Sequence, residues 1–249
     1  MRTIAGLDLT DPSTFFISLV LIFAIVFLRY LLLSGVYRWL VFKLVAAKNS
    51  ERILFTPKNN KKQIHREVLL SSYSAIIFSI TGMFLLLLWQ LGYTQIYAEI
   101  NEFPIWYIPI SIVLFLFIHD TYYYWLHKWM HTSTILRKYH MAHHQSVNTT
   151  VFTSFSFHPV ESFFQAMILP IIVMILPLSF LAIFVTLFLM TISAIINHAG
   201  VEIYPTENKL KGFKKHIIGA THHDQHHRNL KKNFGLYFTF WDKWMGTEK

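Results

Sequence analysis

Histidine stands out in this chain by number and by spacing. Fourteen are present, and thirteen of them fall between His119 and His227. His127 and His131 are four residues apart, a separation that puts both on one face of a helix. His140, His143 and His144 form H-x-x-H-H, and His222, His223, His226 and His227 form H-H-x-x-H-H, which repeats the same i, i+3, i+4 geometry. Free imidazoles packed together would lose hydration and repel one another on protonation. A metal removes both costs, because neutral imidazole is a ligand and the competing proton is displaced. Imidazole suits zinc, copper, iron and nickel. One tetrahedral zinc takes about four ligands, so this many histidines imply two metals.

The absences narrow the chemistry. The chain has no cysteine, hence no thiolate-held haem, iron–sulfur cluster or zinc ribbon of its own. It lacks the H-E-x-x-H helix of zinc proteases, the G-x-S-x-G nucleophile turn, the G-x-G-x-x-G dinucleotide loop and the phosphate-binding P-loop. Carboxylates near the histidines are few: Asp120, Glu161 and Asp224. Asp120 and Glu161 are the candidates for a supporting catalytic role. Asp120 reads equally as a helix-end carboxylate at the membrane interface or as an acceptor that fixes a histidine tautomer. Asp224 reads as a supporting partner or as solvated. His198, in Asn197-His198-Ala199-Gly200, stands at the end of an apolar stretch. His158 precedes Pro159 and reads as part of a structural turn, and His65, His119 and His216 carry no spacing signal.

These residues need a scaffold, and composition says which kind. Of 249 residues, 54% are hydrophobic and 14% charged, against a globular norm of about 25% charged. Residues 15–28 and 30–42 are apolar and separated by Arg29, residues 68–91 carry no charge, residues 105–126 follow a helix-like apolar pattern past Asp120, and residues 163–196 are 34 without a charge. A single helical span takes about 20 residues. The last stretch is too long for one crossing, and Pro170 and Pro177 interrupt it, so a helical hairpin is expected with its bend near Leu178 and Ser179. A hairpin also returns the chain to its starting side, where the later histidines can meet the earlier ones. The expected fold is an all-α integral membrane protein with four to five embedded helical segments and a helical cap carrying the histidines. Residues 1–104 would form an anchor region of two spans and a basic loop, and residues 105–249 the catalytic unit.

Loop charge sets the expected orientation. Lys43, Lys48, Arg52, Lys58, Lys61, Lys62 and Arg66 crowd the first connection, whereas residues 92–104 have Glu99 and Glu102 and no Lys or Arg. The tail after residue 196 holds nine Lys and Arg. The positive-inside rule therefore puts the histidines on the cytoplasmic face, of a bacterial inner membrane or the endoplasmic reticulum. The net charge of +9 fits basic loops against an anionic leaflet, with no nucleic-acid partner implied.

The three clusters, His127-Lys-Trp-Met-His131, His140-Met-Ala-His143-His144 and His222-His-Asp-Gln-His226-His227, resemble the fatty acid hydroxylase / sterol desaturase superfamily of membrane di-iron enzymes. Asp120, Tyr124-Trp125, the F-H-P-V-E stretch at 157–161 and the closing G-L-Y-F-T-F-W-D-K-W-M-G at 235–246 also match, and this last segment and the T-S-F-S-F-H-P stretch at 153–159 look most like its sterol C5-desaturase (lathosterol oxidase) branch. The resemblance covers about residues 118–246. It implies two iron ions held by His127, His131, His140, His143, His144, His223, His226 and His227, with His198 and His222 as additional ligands. It further implies an O2-dependent oxidoreductase that hydroxylates or desaturates a lipid, of sterol or fatty acyl type, drawn from the bilayer. Two electrons would come from a separate electron-transfer protein, a haem cytochrome or a ferredoxin with its reductase. Two other classes compete. A membrane zinc hydrolase would need about three ligands and a general-base Glu. A divalent-metal transporter would carry ionisable groups near the bilayer midplane.

Overall fold

The computed structural model describes residues 6–46, 50–55, 60–204, 212 and 215–249. Lys48, Lys58, Lys209, Lys211 and Lys214, which carry part of the loop-charge pattern, lie outside the described residues. The architecture is all-α. Helix α1 (Pro12–Val41) starts at an Asp11 cap whose carboxylate accepts from the Thr14 amide at 2.8 Å, with Pro12 in the first turn. It runs unbroken through Arg29, so the two apolar stretches expected on either side of that residue are one helix. Ile17, Val20, Leu21, Ile25, Leu28 and Leu32 are all exposed along it, as on a helix that crosses a bilayer. Helix α2 (Lys61–Gln90) starts at Asn60, whose side chain accepts from the Gln63 amide. Helix α3 (Tyr107–Thr132) follows, then the short α4 (Arg137–His144).

The expected hairpin is present. Its first arm is α5 (Pro159–Ala166) and α6 (Ile168–Ile175), and its second is α7 (Phe180–His198). Pro170 explains why the first arm breaks at Met167: it has no N–H to give to the Ala166 carbonyl four residues back. The bend is pinned by a parallel bridge between β1 (Ile96–Tyr97) and β2 (Leu178–Ser179), and the Ser179 hydroxyl then caps α7. Beneath the bend, Leu85, Trp89, Phe115, Ile172 and Leu178 form the main apolar core. Helices α8 (Ala220–Arg228) and α9 (Phe240–Trp244) complete the cap.

Among the described residues, α1 extended to Leu44, α2 and α7 are long and apolar enough to cross a membrane, and the arm Pro159–Ile175 is apolar but shorter. Helix α3 is 26 residues long, but His119, Asp120 and its tyrosines dilute its apolar character.

Candidate metal centre

Four helices bring the histidines together. The C-terminal turns of α3 carry His127 and His131, α4 carries His140, His143 and His144, α7 ends on His198, and α8 carries His223, His226 and His227. They sort into two groups. One ring nitrogen each from His127, His131, His140, His144 and His226 lies within 4.8 Å of the others, and so do those of His143, His198, His223 and His227. The sorting follows helix geometry. Residues i and i+4 diverge by about 40° around the axis, whereas i+3 and i+4 diverge by about 100°. His140 and His144 therefore share the first group while His143 enters the second, and His223 and His227 share the second while His226 enters the first. The groups are contiguous, with the His144 and His227 rings 4.6 Å apart.

Hydrogen bonds fix which nitrogen faces inward. The Nδ1 atoms of His127, His143, His198 and His226 contact the carbonyl oxygens of Phe234 (2.9 Å), Ser156 (3.3 Å), Ala194 (2.7 Å) and Lys232 (2.7 Å). A carbonyl only accepts, so each Nδ1 carries the proton and each Nε2 presents a lone pair. His143 Nε2 and His198 Nε2 nonetheless face each other at 3.2 Å, and His198 Nε2 lies 2.9 Å from His223 Nε2. In the first group His140 Nε2 is 3.0 Å from the Nε2 atoms of both His131 and His144. The buried Nε2 atoms of His127 and His227 have no partner. Two lone pairs at such a distance repel unless a cation lies between them. A metal bonded at about 2.1 Å sets neighbouring nitrogens roughly 3.0–3.4 Å apart. The donor set thus fits a metal in each group.

Burial, reinforced by neighbouring imidazoles, holds His143, His144, His223, His226 and His227 well below the ordinary histidine range. They stay neutral in the fold under conditions where the unfolded chain, titrating near about 6.5, takes up protons. The unfolded state then binds more protons, so this contribution to stability is full above about pH 6.5 and is lost as pH falls below it, at about 1.4 kcal/mol per pH unit for each such ring. Metal-free protein is accordingly expected to melt at a lower temperature near pH 5.5 than near pH 7.5. A flat profile across that range would contradict the neutral, buried assignment.

Glu161, a candidate for a supporting role, lies beside a histidine. Its Oε1 accepts from His140 Nδ1 at 2.9 Å and from Gln165 at 3.0 Å, and both His140 and Glu161 are buried. Carboxylates placed this way fix the ring and strengthen its outer nitrogen. Glu161→Gln is expected to weaken metal affinity by about 10–100-fold without unfolding the chain, read by competitive chelation; unchanged affinity would remove Glu161 from the site.

Asp120 does otherwise. It contacts no ring, and its Oδ1 accepts from the backbone amides of Leu236 (3.2 Å) and Tyr237 (2.7 Å). Of the two sequence readings, the tautomer-fixing one is corrected: the carboxylate ties the C-terminal segment to α3. His222 is also corrected, because it falls in neither group and its Nε2 lies 3.7 Å from Asp242. Asp224 is paired with Arg228 at 2.9 Å. His158 caps α5, accepting from the Val160 amide, and its ring packs on Tyr139. His65 and His216 are exposed.

Several supporting residues carried no spacing signal. Fully buried Asp242 accepts from the amides of Phe234 (2.8 Å) and Gly235 (2.9 Å) and from the Thr247 hydroxyl (2.7 Å), holding the segment whose Phe234 carbonyl anchors His127. Glu67, on α2, collects Gln63, Ser146, Thr150 and Thr153 at 2.6–2.9 Å and so fixes the loop after α4. Glu202 accepts from the amide and hydroxyl of Thr221, setting α8 beside the end of α7. Gly200, at φ +68°, turns the chain after His198 where a Cβ would strike the Phe55 ring at 2.6 Å. Buried His119, which carries no spacing signal, contacts the Tyr237 hydroxyl through Nδ1 at 3.0 Å.

A largely apolar cavity of about 200 Å³ opens between α1, α2 and the hairpin and reaches the centre at His198. His119, Tyr123, Phe155, Phe157 and Tyr237 also line it.

The fatty acid hydroxylase family model matches residues 112–247. The chain is 33% identical over 198 residues to the lathosterol oxidase of Rattus norvegicus, covering 78% of this chain and 64% of the relative. It is 32% identical over 198 residues to the human lathosterol oxidase, with the same coverage. It is 30% identical over 224 residues to Delta(7)-sterol 5(6)-desaturase ERG3A of Gibberella zeae, covering 87% of this chain and 61% of that one. The chain therefore spans under two thirds of the length of these relatives. No solved structure matches it.

Proposed function

The chain belongs to the fatty acid hydroxylase family, and from that premise we propose that it is a membrane-embedded oxidoreductase that uses O2 and two electrons to hydroxylate or desaturate a lipid at an unactivated C–H bond. The single observation that carries this reading is the inward-facing lone pairs of His143 and His198 at 3.2 Å, repeated around both histidine groups, which calls for a cation in each. Two irons would be held by His127, His131, His140, His144 and His226, and by His143, His198, His223 and His227. Iron so held would supply O2 reduction and the removal of hydrogen from carbon, which side chains cannot do alone. Hydroxylation consumes O2, two electrons and two protons and leaves the alcohol and one water; desaturation leaves the alkene and two waters. Residues 105–249 are the catalytic unit on this reading, with 1–104 as an anchor built into it through Glu67.

The chain's own residues bind, orient and exclude water. The apolar cavity walls accept hydrocarbon from the bilayer and bring it to His198, which belongs both to the cavity and to the second group. Anchored Nδ1 atoms hold the rings in one orientation, so that little reorganisation accompanies the reaction. The relatives' names make sterols the first substrates to test, with fatty acyl lipids second. The basic loops put the centre on the cytoplasmic face, open to a separate electron carrier. The histidines gather at one end of the helices instead of along a path through them, which favours an oxidase over a transporter. Purified protein is expected to hold iron at about two per chain and to consume O2 with lipid when supplied with electrons. About one zinc, no iron and no O2 use would reject the proposal.

A further inference from the structure

Arg29 lies in the wall of the apolar cavity, in the middle of a helix that is otherwise apolar over most of its length. Ile22, Val26 and Arg29 share a face of α1 at i, i+4, i+7 and line the cavity together. The Arg29 Nε is buried and has no hydrogen-bond partner among the described residues. The described residues lining the cavity include no Asp or Glu and no second Lys or Arg. An arginine within a span costs about 2.5–3.5 kcal/mol on an insertion scale and ordinarily finds a partner or marks a functional path. Among the described residues no counter-charge faces Arg29, so the group that completes the site belongs to the ligand.

The neighbours of Arg29 fix which end of the cavity it occupies. Adjacent Tyr30 stacks on Phe155 with ring centroids 5.1 Å apart, and its hydroxyl donates to the Phe152 carbonyl at 2.9 Å. Phe155 lines the cavity, and the next residue, Ser156, accepts from His143. Arg29 is therefore at the histidine end, while Ile22 on α1 and Leu187 on α7 lie toward the other. From Leu187 to His198 the wall runs eleven residues, or about 16 Å.

We propose that Arg29 is a specificity-determining residue that binds the oxyanion headgroup, carboxylate or phosphate, of a single-chain lipid substrate, with the hydrocarbon lying toward Ile22 and Leu187. This rests on the oxidase reading and narrows its substrate from lipids in general to acidic amphiphiles. It also sets the position of reaction: the carbons next to the headgroup, not the chain terminus, face His198.

Binding tests it apart from turnover. The full chain in detergent is titrated with cis-parinaric acid and with its methyl ester, which have the same chain but only one of which carries a charge. Wild-type protein is expected to prefer the acid by at least about tenfold, a difference of about 1.4 kcal/mol. Arg29→Gln should bring the acid down to the affinity of the ester and leave the ester unchanged, and Arg29→Lys should retain part of the preference. Displacement by oleate identifies a carboxylate site and displacement by lysophosphatidate a phosphate site; inorganic phosphate should displace neither. Equal affinity for acid and ester in the wild type, or a preference that survives Arg29→Gln, overturns the proposal. If Arg29→Gln loses its metal and helicity, Arg29→Lys decides, and a preference identical to wild type counts against the site. O2-dependent oxidation of acid and ester at equal rates, with the rate on the acid unaltered by either variant, sinks the anion site and leaves the oxidase reading intact. An acid preference in a protein that holds no iron and uses no O2 does the reverse.

Discussion

His198→Ala is expected to lower iron content from about two per chain to about one and to reduce lipid oxidation by at least roughly 10³-fold. His198 closes the second histidine group, and its ring is held from behind by the Ala194 carbonyl at 2.7 Å. It also forms part of the cavity wall, so it is where hydrocarbon and metal would come nearest. Losing an orienting carboxylate costs about 10–100-fold, and losing a nitrogen ligand removes a bond to the metal itself. His222→Ala supplies the internal comparison. It sits in the same helix and the same sequence motif as the ligand candidates His223, His226 and His227, yet its ring is turned to Asp242. Its removal should leave iron content at the wild-type value and activity within about threefold, on the scale of a residue outside the reacting shell. Elemental analysis and O2 uptake on the two variants, purified side by side, decide the matter. Full iron and near-normal activity in His198→Ala would contradict the two-group assignment.

Asp242→Ala is expected to be the most destabilising carboxylate substitution in the cap, at roughly 3–5 kcal/mol, because it leaves buried donors without acceptors. Those donors are the amides of Phe234 and Gly235 and the Thr247 hydroxyl. The effect should reach the metal. The Phe234 carbonyl holds His127 at 2.9 Å, so a loosened segment frees that ring and lowers occupancy of the first group. Asp242→Asn keeps one acceptor oxygen and should lose about half as much stability. Thermal unfolding in detergent with and without added iron provides the measurement. A loss below about 1 kcal/mol in the alanine variant would show that the carboxylate is not what holds the segment.

The parts of this molecule that were legible from sequence are the local ones. Uncharged runs long enough for a bilayer marked the helices, and prolines marked the hairpin, because both signals lie within a few residues of the feature they specify. The histidine clusters were legible for the same reason, since i and i+4 spacing fixes a shared face before any packing occurs. What was not legible depends on contacts between distant segments. His222 has the same spacing to His226 as His223 has to His227, and only the position of Asp242, twenty residues on, turns its ring away. Asp120 precedes the first histidine motif and so invited a role beside a ring, yet its partners are amides more than a hundred residues later. Arg29 looked like an interruption between two apolar runs, and only the packing of α1 against the hairpin makes it part of a cavity.

The distribution of the two groups along the chain carries a consequence for biogenesis. A ribosome that has synthesised the chain through His144 has already supplied four of the five rings of one site, but only one of the four rings of the other. Neither can be finished until His226 and His227 have been made and the tail has folded back against the inserted hairpin. Completing either group of rings is thus a late event of assembly, and residues 220–249 decide whether the two groups ever close.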